Sequence, residues 1–364
     1  MRYLLFVAAA VLAACSPSEE SAPTRTITLG SGAEVEREQL DTFFDQVIDA
    51  GAAPGLSVAL INDGEVVYTH VAGLADVEAG QPVTSDTLFE AASLSKPIFG
   101  ALAVSLAGDG IIDLDTPLAD YLPHPDLAGV PEAAVITARM VLSHQTGLPN
   151  WRSDEPDDTL NFAFAPGSSY RYSGEGYEYL ADVLMHQLET DDAGLNDEFR
   201  QRVIVPAGAS ETLFLQDADQ MARTAAGYRQ GEIVGEDEPG SGAEFGAAWS
   251  VHSAAADYAR VMMALMDGSV LSEDEAALYF QPQGVSFPAD EPSLAIGLSD
   301  WALGFSIFEI PIGRIYAHGG NNKGYTNFVA INPETAWGFV IFTNEDQAND
   351  LMLQATFFAA GLAE

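Results

Sequence analysis

Residues 56–71 read Leu56-Ser57-Val58-Ala59-Leu60-Ile61-Asn62-Asp63-Gly64-Glu65-Val66-Val67-Tyr68-Thr69-His70-Val71. Two runs rich in apolar and β-branched residues flank Asn62-Asp63-Gly64, a turn whose residues tolerate positive φ, so the stretch predicts an antiparallel hairpin. Upstream, Leu40, Phe43, Phe44, Val47 and Ile48 fall on one face of a helix that Gly51 and Pro54 terminate. A second hairpin is predicted near the C-terminus, Tyr325 to Ile331 and Trp337 to Thr343 around Asn332-Pro333-Glu334-Thr335, with a last helix from about Asn349 to Ala360. Between these ends, residues 98 to about 290 carry helical stretches such as Ile98 to Ala107 and Ala254 to Met266, separated by loops rich in Pro, Gly and Asp. Strands at both ends and helices between them predict one sheet assembled from the two ends of the chain, with a mostly helical domain inserted. An active site is expected in the cleft between the two.

The 364 residues are 48% apolar, which excludes a disordered chain. Their formal net charge is −40, with 54 Asp plus Glu against 14 Lys plus Arg. That balance excludes nucleic acid as a partner, because phosphate binding is driven by basic contacts that are missing here. Electrostatic attachment to an anionic lipid face is excluded on the same ground. The acids are scattered along the chain, as on a solvated acidic surface. Only two of the basic residues are Lys, Lys96 and Lys323.

Residues 1–14 hold one positive charge and an apolar run too short to span a bilayer, the composition of an export signal. The run ends Leu12-Ala13-Ala14-Cys15, which resembles the lipobox of bacterial lipoproteins, where the Cys is acylated after cleavage. Cys15 is the only Cys, so disulfides, thiolate metal sites and a Cys nucleophile are ruled out. The expected product is a periplasmic protein anchored to a membrane by lipid, and Ser16 after the Cys suits the outer membrane. Residues 15–35 are expected to be a flexible tether. The folded domain is then 36–364, with the sheet drawn from about 36–92 and 296–364 and the insertion from about 98–295.

No Gly-x-Ser-x-Gly, Gly-x4-Gly-Lys or His-Glu-x-x-His occurs, and the six His show no ligand spacing, so neither a metal site nor a cofactor is expected. Hydroxyl or carboxylate chemistry remains. Ala92-Ser93-Leu94-Ser95-Lys96-Pro97 precedes an apolar helix, and a separation of three between Ser93 and Lys96 stacks their side chains on one helix face. A Ser hydroxyl needs a base to become a nucleophile, and a Lys serves when burial lowers its pKa. Placed at a helix N-terminus, Ser93 would also have backbone N–H groups for a developing oxyanion. In Pro166-Gly167-Ser168-Ser169-Tyr170-Arg171-Tyr172-Ser173-Gly174 the second Tyr offers a phenol for proton relay, with Tyr170 its confusable neighbour. In Tyr316-Ala317-His318-Gly319-Gly320-Asn321 a strand ends in a His and two Gly that let a substrate approach the strand edge.

Taken together these segments resemble the serine hydrolases of the class C β-lactamase type, which include D,D-peptidases and family VIII esterases. The resemblance covers about residues 37 to 363. Its motifs read Ser93-Leu94-Ser95-Lys96, Tyr172-Ser173-Gly174 and His318-Gly319-Gly320, in the family's order, and Leu142-Ser143-His144-Gln145-Thr146-Gly147-Leu148 looks like a further signature. The resemblance implies an α/β (α+β) fold of β-lactamase/transpeptidase type, an antiparallel sheet flanked by helices plus an inserted, mostly helical domain. It also implies that Ser93 is acylated, that Lys96 is its base or base partner and that Tyr172 is a second base and relay. His318 would line the oxyanion side and tune Tyr172, and the backbone N–H groups of Ser93 and Asn321 would form the oxyanion hole.

The chain departs from penicillin-recognising members at Gly174, where they carry a substrate-binding Asn, and at His318, where class C β-lactamases carry Lys. Both departures favour esterase-like hydrolysis of an ester or amide over β-lactam hydrolysis. The alternatives are a D,D-carboxypeptidase or D-aminopeptidase acting on cell-wall peptides, a weak β-lactamase, or a non-catalytic penicillin-binding-like envelope protein. Trp151 is a candidate wall of the acyl pocket. Lys323 is a turn residue that could attract a substrate carboxylate. His144 is expected to shape its loop, and Glu232 to Ser241 to be a surface excursion.

Overall fold

In the computed structural model, which describes residues 26–234 and 242–362, the chain enters through an antiparallel ribbon of β1 (Thr26–Thr28) and β2 (Glu34–Glu36). Over residues 26–35 this differs from the expected tether, whose earlier part lies outside the described residues. Ile27 and Leu29 are buried in the core beneath the sheet, and the Gly30 N–H donates to the Ala359 carbonyl. Thr26-Ile27-Thr28-Leu29 alternates polar and apolar residues as a half-buried strand does, over a run too short to stand out beside its polar neighbours. The signal-peptide and Cys15 expectations lie outside the described residues, as does most of the expected surface excursion at 232–241.

Helix α1 (Arg37–Asp49) starts at a capping box between Glu36 and Gln39, buries Leu40 and Phe44 fully, and gives way to Gly51 at φ 77°. The hairpin of β3 (Gly55–Asn62) and β4 (Glu65–Asp76) turns at Asp63 and Gly64, with φ 49° and 75°. Two consecutive left-handed residues give the turn whose twist matches that of the strands. β5 (Gln81–Pro82) lies beside β4, and β6 (Phe89–Glu90) leads to the segment carrying Ser93.

The inserted part contains α2 (Ser95–Gly108), α3 (Leu118–Tyr121), α4 (Ala138–Leu142), α5 (Glu175–Leu188), α6 (Asp192–Phe199), α7 (Val205–Ala207), α8 (Ala218–Met221), α9 (Ala255–Asp267) and α10 (Glu273–Tyr279). Helix α2 is apolar on every side and buried from Ser95 to Val104, which makes it the central helix. The insertion is not wholly helical: β7 (Gly227–Arg229) and β8 (Glu232–Val234) pair, and β9 (His252–Ser253) pairs with β6. Strands of two or three residues depend on partners far away in sequence, so no local period announces them.

The C-terminal part supplies β10 (Leu298–Trp301), β11 (Ser306–Ile310), β12 (Gly313–Asn322), β13 (Tyr325–Asn332), β14 (Trp337–Thr343) and α11 (Asn349–Ala360). The main sheet has the order β10-β11-β12-β13-β14-β3-β4-β5, antiparallel throughout, so the two chain ends meet where β14 pairs with β3. Strand β3 is covered on both faces. Leu56, Val58 and Leu60 join the core with α1 and α11, while Ala59 and Ile61 join the core shared with α2 and α9. Each fully buried Leu or Ile of this kind contributes about 1.5–3 kcal/mol of transfer free energy. No helix among the described residues is long and apolar enough to cross a membrane.

Candidate active site

Ser93 stands on a 3-10 turn, Ala92–Leu94, that runs into α2 at Ser95. The turn is pinned from several directions. The Ala91 N–H donates to the Val251 carbonyl at 2.7 Å, the Tyr258 hydroxyl to the Leu94 carbonyl at 2.7 Å, and Ser95 Oγ links the Ala92 carbonyl to the Val251 N–H. Ala92 sits at φ 53°, a left-handed conformation unusual for a residue with a side chain and a store of local strain next to the nucleophile candidate. The expected placement of Ser93 and Lys96 on one α-helical face is thus modified, since Ser93 precedes the α-helix and Lys96 lies in its first turn.

Lys96 is fully buried. Its Nζ donates to Ser93 Oγ at 3.2 Å and to the Ala248 carbonyl at 2.9 Å, and it lies 4.6 Å from the Tyr172 ring centre and 5.6 Å from that of Tyr177. Burial brings its pKa down to about 7, opposed by the negative charge of Glu178. Tyr172 is hydrogen-bonded to Ser93, and burial pushes its phenol well above the ordinary range. The three groups therefore form one contact set, Lys96 to Ser93 to Tyr172.

Behind Tyr172 lies a cluster of rings. His144 packs on it at 4.3 Å between centres and His318 at 5.9 Å, while Trp301 touches both histidines edge-on. His318 Nδ1 lies 2.7 Å from the Gly319 carbonyl and so carries the proton; burial, the Lys96 charge and this bond together leave its pKa at about 3. His318 is buried beside Tyr172 and in ring contact with it, while the cavity at Ser93 is lined by its neighbours Gly319 and Gly320. His144 accepts the Ser173 N–H at Nδ1, holds φ 58°, and is kept neutral chiefly by burial. It both shapes its loop and forms the floor under Tyr172.

A cavity of about 420 Å³ opens at Ser93, lined by Asn150, Tyr172, Gly319, Gly320 and Asn321 and continuing over Thr326 to Phe328 toward Asn349 and Met352. Asn321 ties its side-chain amide to Thr326 Oγ1 and the Asp346 carbonyl. Gly320 lies against the nucleophile turn, where a Cβ would come 2.5 Å from the Ala91 carbonyl oxygen. Trp151 covers Gly174: a Cβ there would stand 2.7 Å from the indole, so a side chain at this position would displace Trp151. Lys323 is exposed in the β12–β13 turn and is absent from the cavity lining. The closing pair Asn322 with Tyr325 leaves it at the hairpin tip.

Three contributors had no signal in the sequence. Trp301 and Asn150 lie in no motif, and Glu178 was one acid among 54. Among the described residues no group of three His, Cys, Asp or Glu is arranged to hold a metal ion.

A family model described as Beta-lactamase matches residues 40–364. Esterase EstB of Burkholderia gladioli is 32% identical over 163 residues, a stretch that is 37% of this chain and 41% of that esterase's length. The match to a beta-lactamase of Yersinia enterocolitica is 25% identical and covers 85% of this chain and 87% of the relative. Among solved structures, D-amino acid amidase from Ochrobactrum anthropi SV3 superposes with a TM-score of 0.72 at 22% identity, covering 89% of this chain and 98% of the amidase.

Proposed function

The chain belongs to the beta-lactamase family, and we propose that it is a serine hydrolase that cleaves uncharged esters through an acyl-enzyme on Ser93. The observation that carries this choice is the cavity lining, which includes no charged residue. A substrate carboxylate, such as a β-lactam or a D-Ala-D-Ala peptide carries, gains no ion pair there and approaches a chain of net charge −40. The neutral His318 and the side-chain-free Gly174 remove the two groups that would hold such substrates. Similarity to an esterase points the same way.

In the proposed reaction the Ser93 hydroxyl gives its proton to neutral Lys96, 3.2 Å away, as Oγ attacks the acyl carbon. The ester C–O bond then breaks, and the departing alkoxide takes a proton through the Tyr172 phenol, which is replenished from Lys96. Water then gives a proton to the same relay as its oxygen attacks the acyl carbon, the bond between that carbon and Ser93 Oγ breaks, and Oγ takes the proton back as the acid leaves. Anchored through Cys15, as its N-terminal sequence suggests, the enzyme would meet its substrates in the cell envelope.

The test is a panel of short p-nitrophenyl esters, a chromogenic cephalosporin and D-Ala-D-Ala peptides. The esters should exceed the cephalosporin and the peptides in kcat/KM by about 100-fold or more, which corresponds to about 2.7 kcal/mol of transition-state preference. The opposite ranking would replace the esterase assignment with a peptidase or β-lactamase, and silence on every substrate would favour the binding protein.

Gly320 gives a second expectation. Gly320→Ala must separate β12 from the Ser93 turn, at a cost of about 1–3 kcal/mol in stability and about 100-fold in kcat through displacement of the nucleophile. Thermal melting and ester turnover check it, and unchanged kcat would mean that the turn does not depend on this contact.

A further inference from the structure

Glu178 is a half-buried carboxylate on α5 that the proposed reaction does not use. It accepts the Ala248 N–H at 3.0 Å and the Ala247 N–H at 3.3 Å. The carbonyl of the same Ala248 receives Lys96 Nζ at 2.9 Å. One residue of the 246–250 turn is therefore clamped between two opposite charges, its N–H toward the carboxylate and its C=O toward the ammonium. The turn is otherwise closed on itself by Gly246 and Ser250, and it continues into Val251, which holds the Ser93 turn. Burying a carboxylate is costly unless hydrogen bonds or an opposite charge compensate, and here the compensation runs directly to Lys96.

We propose that Glu178 is a positioning residue: it holds Ala248 so that its carbonyl orients Lys96 toward Ser93, and it supplies the negative charge that Lys96 faces across that residue. This rests on the Ser93 hydrolase assignment. The other titratable groups around Lys96 are uncharged at neutral pH. They are Tyr172 from its loop, Tyr177 from α5, His144 from the loop after α4, and His318 from β12. Around Glu178 itself, Asp182 adds a like charge one turn further along α5, and burial raises the Glu178 pKa to about 7. The Ala247 and Ala248 N–H groups and the Lys96 charge act the other way and favour the carboxylate form, whose negative charge in turn favours the protonated form of Lys96.

The test compares full-length wild type, Glu178→Gln and Glu178→Asp, with Ser93→Ala beside them. It reads kcat, KM, the pH dependence of kcat/KM on p-nitrophenyl butyrate, and the rate of fluorophosphonate labelling per folded molecule. With its counter-charge removed, Lys96 loses its proton more easily, so the acid limb in Glu178→Gln should move about half a pH unit or more to lower pH. Its plateau kcat should fall about tenfold while KM changes little, because orientation and not substrate binding is lost. Glu178→Asp keeps the charge but cannot reach both N–H groups, so it should keep the limb and lose the plateau. An unmoved limb in Glu178→Gln, or in Glu178→Asp an unchanged kcat, overturns the proposal and makes Glu178 a structural residue. If Glu178→Gln does not fold, the kcat of Glu178→Asp decides. Absence of Ser93-dependent labelling in wild type would instead remove the hydrolase assignment itself.

Discussion

Ser93→Ala is expected to lower kcat/KM on a p-nitrophenyl ester by about 10⁴-fold or more, and to abolish covalent labelling by a fluorophosphonate. The size of the loss follows from the contact set. Lys96 and Tyr172 both address Ser93 Oγ, so removing that oxygen leaves a base and a relay with nothing to act on. The fold should be nearly indifferent. Ser93 reaches the cavity, and the turn that carries it is held by Ala91, Leu94 and Ser95, so the melting temperature should stay within about 2 °C of wild type. Turnover that persists in this variant would place the nucleophile elsewhere.

The second large effect is that of Tyr172→Phe, and its pH dependence identifies the base. Lys96 must be neutral to accept a proton, and burial sets its pKa at about 7. Wild-type kcat/KM should therefore rise as pH increases through about 7 and level off above it. The Tyr172 phenol, raised by burial, keeps its proton through that range and acts as a donor. The two histidines beside Tyr172, His144 and His318, are held low by burial and stay neutral, so they add no second limb. Tyr172→Phe keeps the ring on His144 but removes the bond to Ser93, and should lower the plateau about 10²- to 10³-fold without moving the midpoint. A midpoint that disappears with the hydroxyl would make Tyr172 the base instead.

What was legible in the sequence was local. The stripe from Leu40 to Ile48 and the Asn62-Asp63-Gly64 turn declare α1 and the first hairpin because helix period and turn chemistry are short-range properties. The three motifs proposed to be catalytic are legible because each packs a reactive side chain and its structural reason into a few residues. The remainder depends on segments far apart in the chain. Glu178 reads as an ordinary helical acid until Ala247 and Ala248, about 70 residues away, close over it. Trp301 gains its place from the rings of His144 and His318. Lys323 shows the converse, a rare residue near a motif that hairpin geometry carries away from the cavity.

The join of β14 to β3 has a consequence for how activity arises during synthesis. Gly55 donates its N–H to Asn344, 289 residues later, and the strand beside Ser93 belongs to the last fifth of the chain. Contacts of such sequence separation form late, because loop closure must precede them. A nascent chain that already contains Ser93, Lys96 and Tyr172 therefore lacks the strand that completes their cavity. Hydrolysis is withheld until nearly the whole polypeptide has emerged and closed, which makes the enzyme silent wherever it is still unfolded.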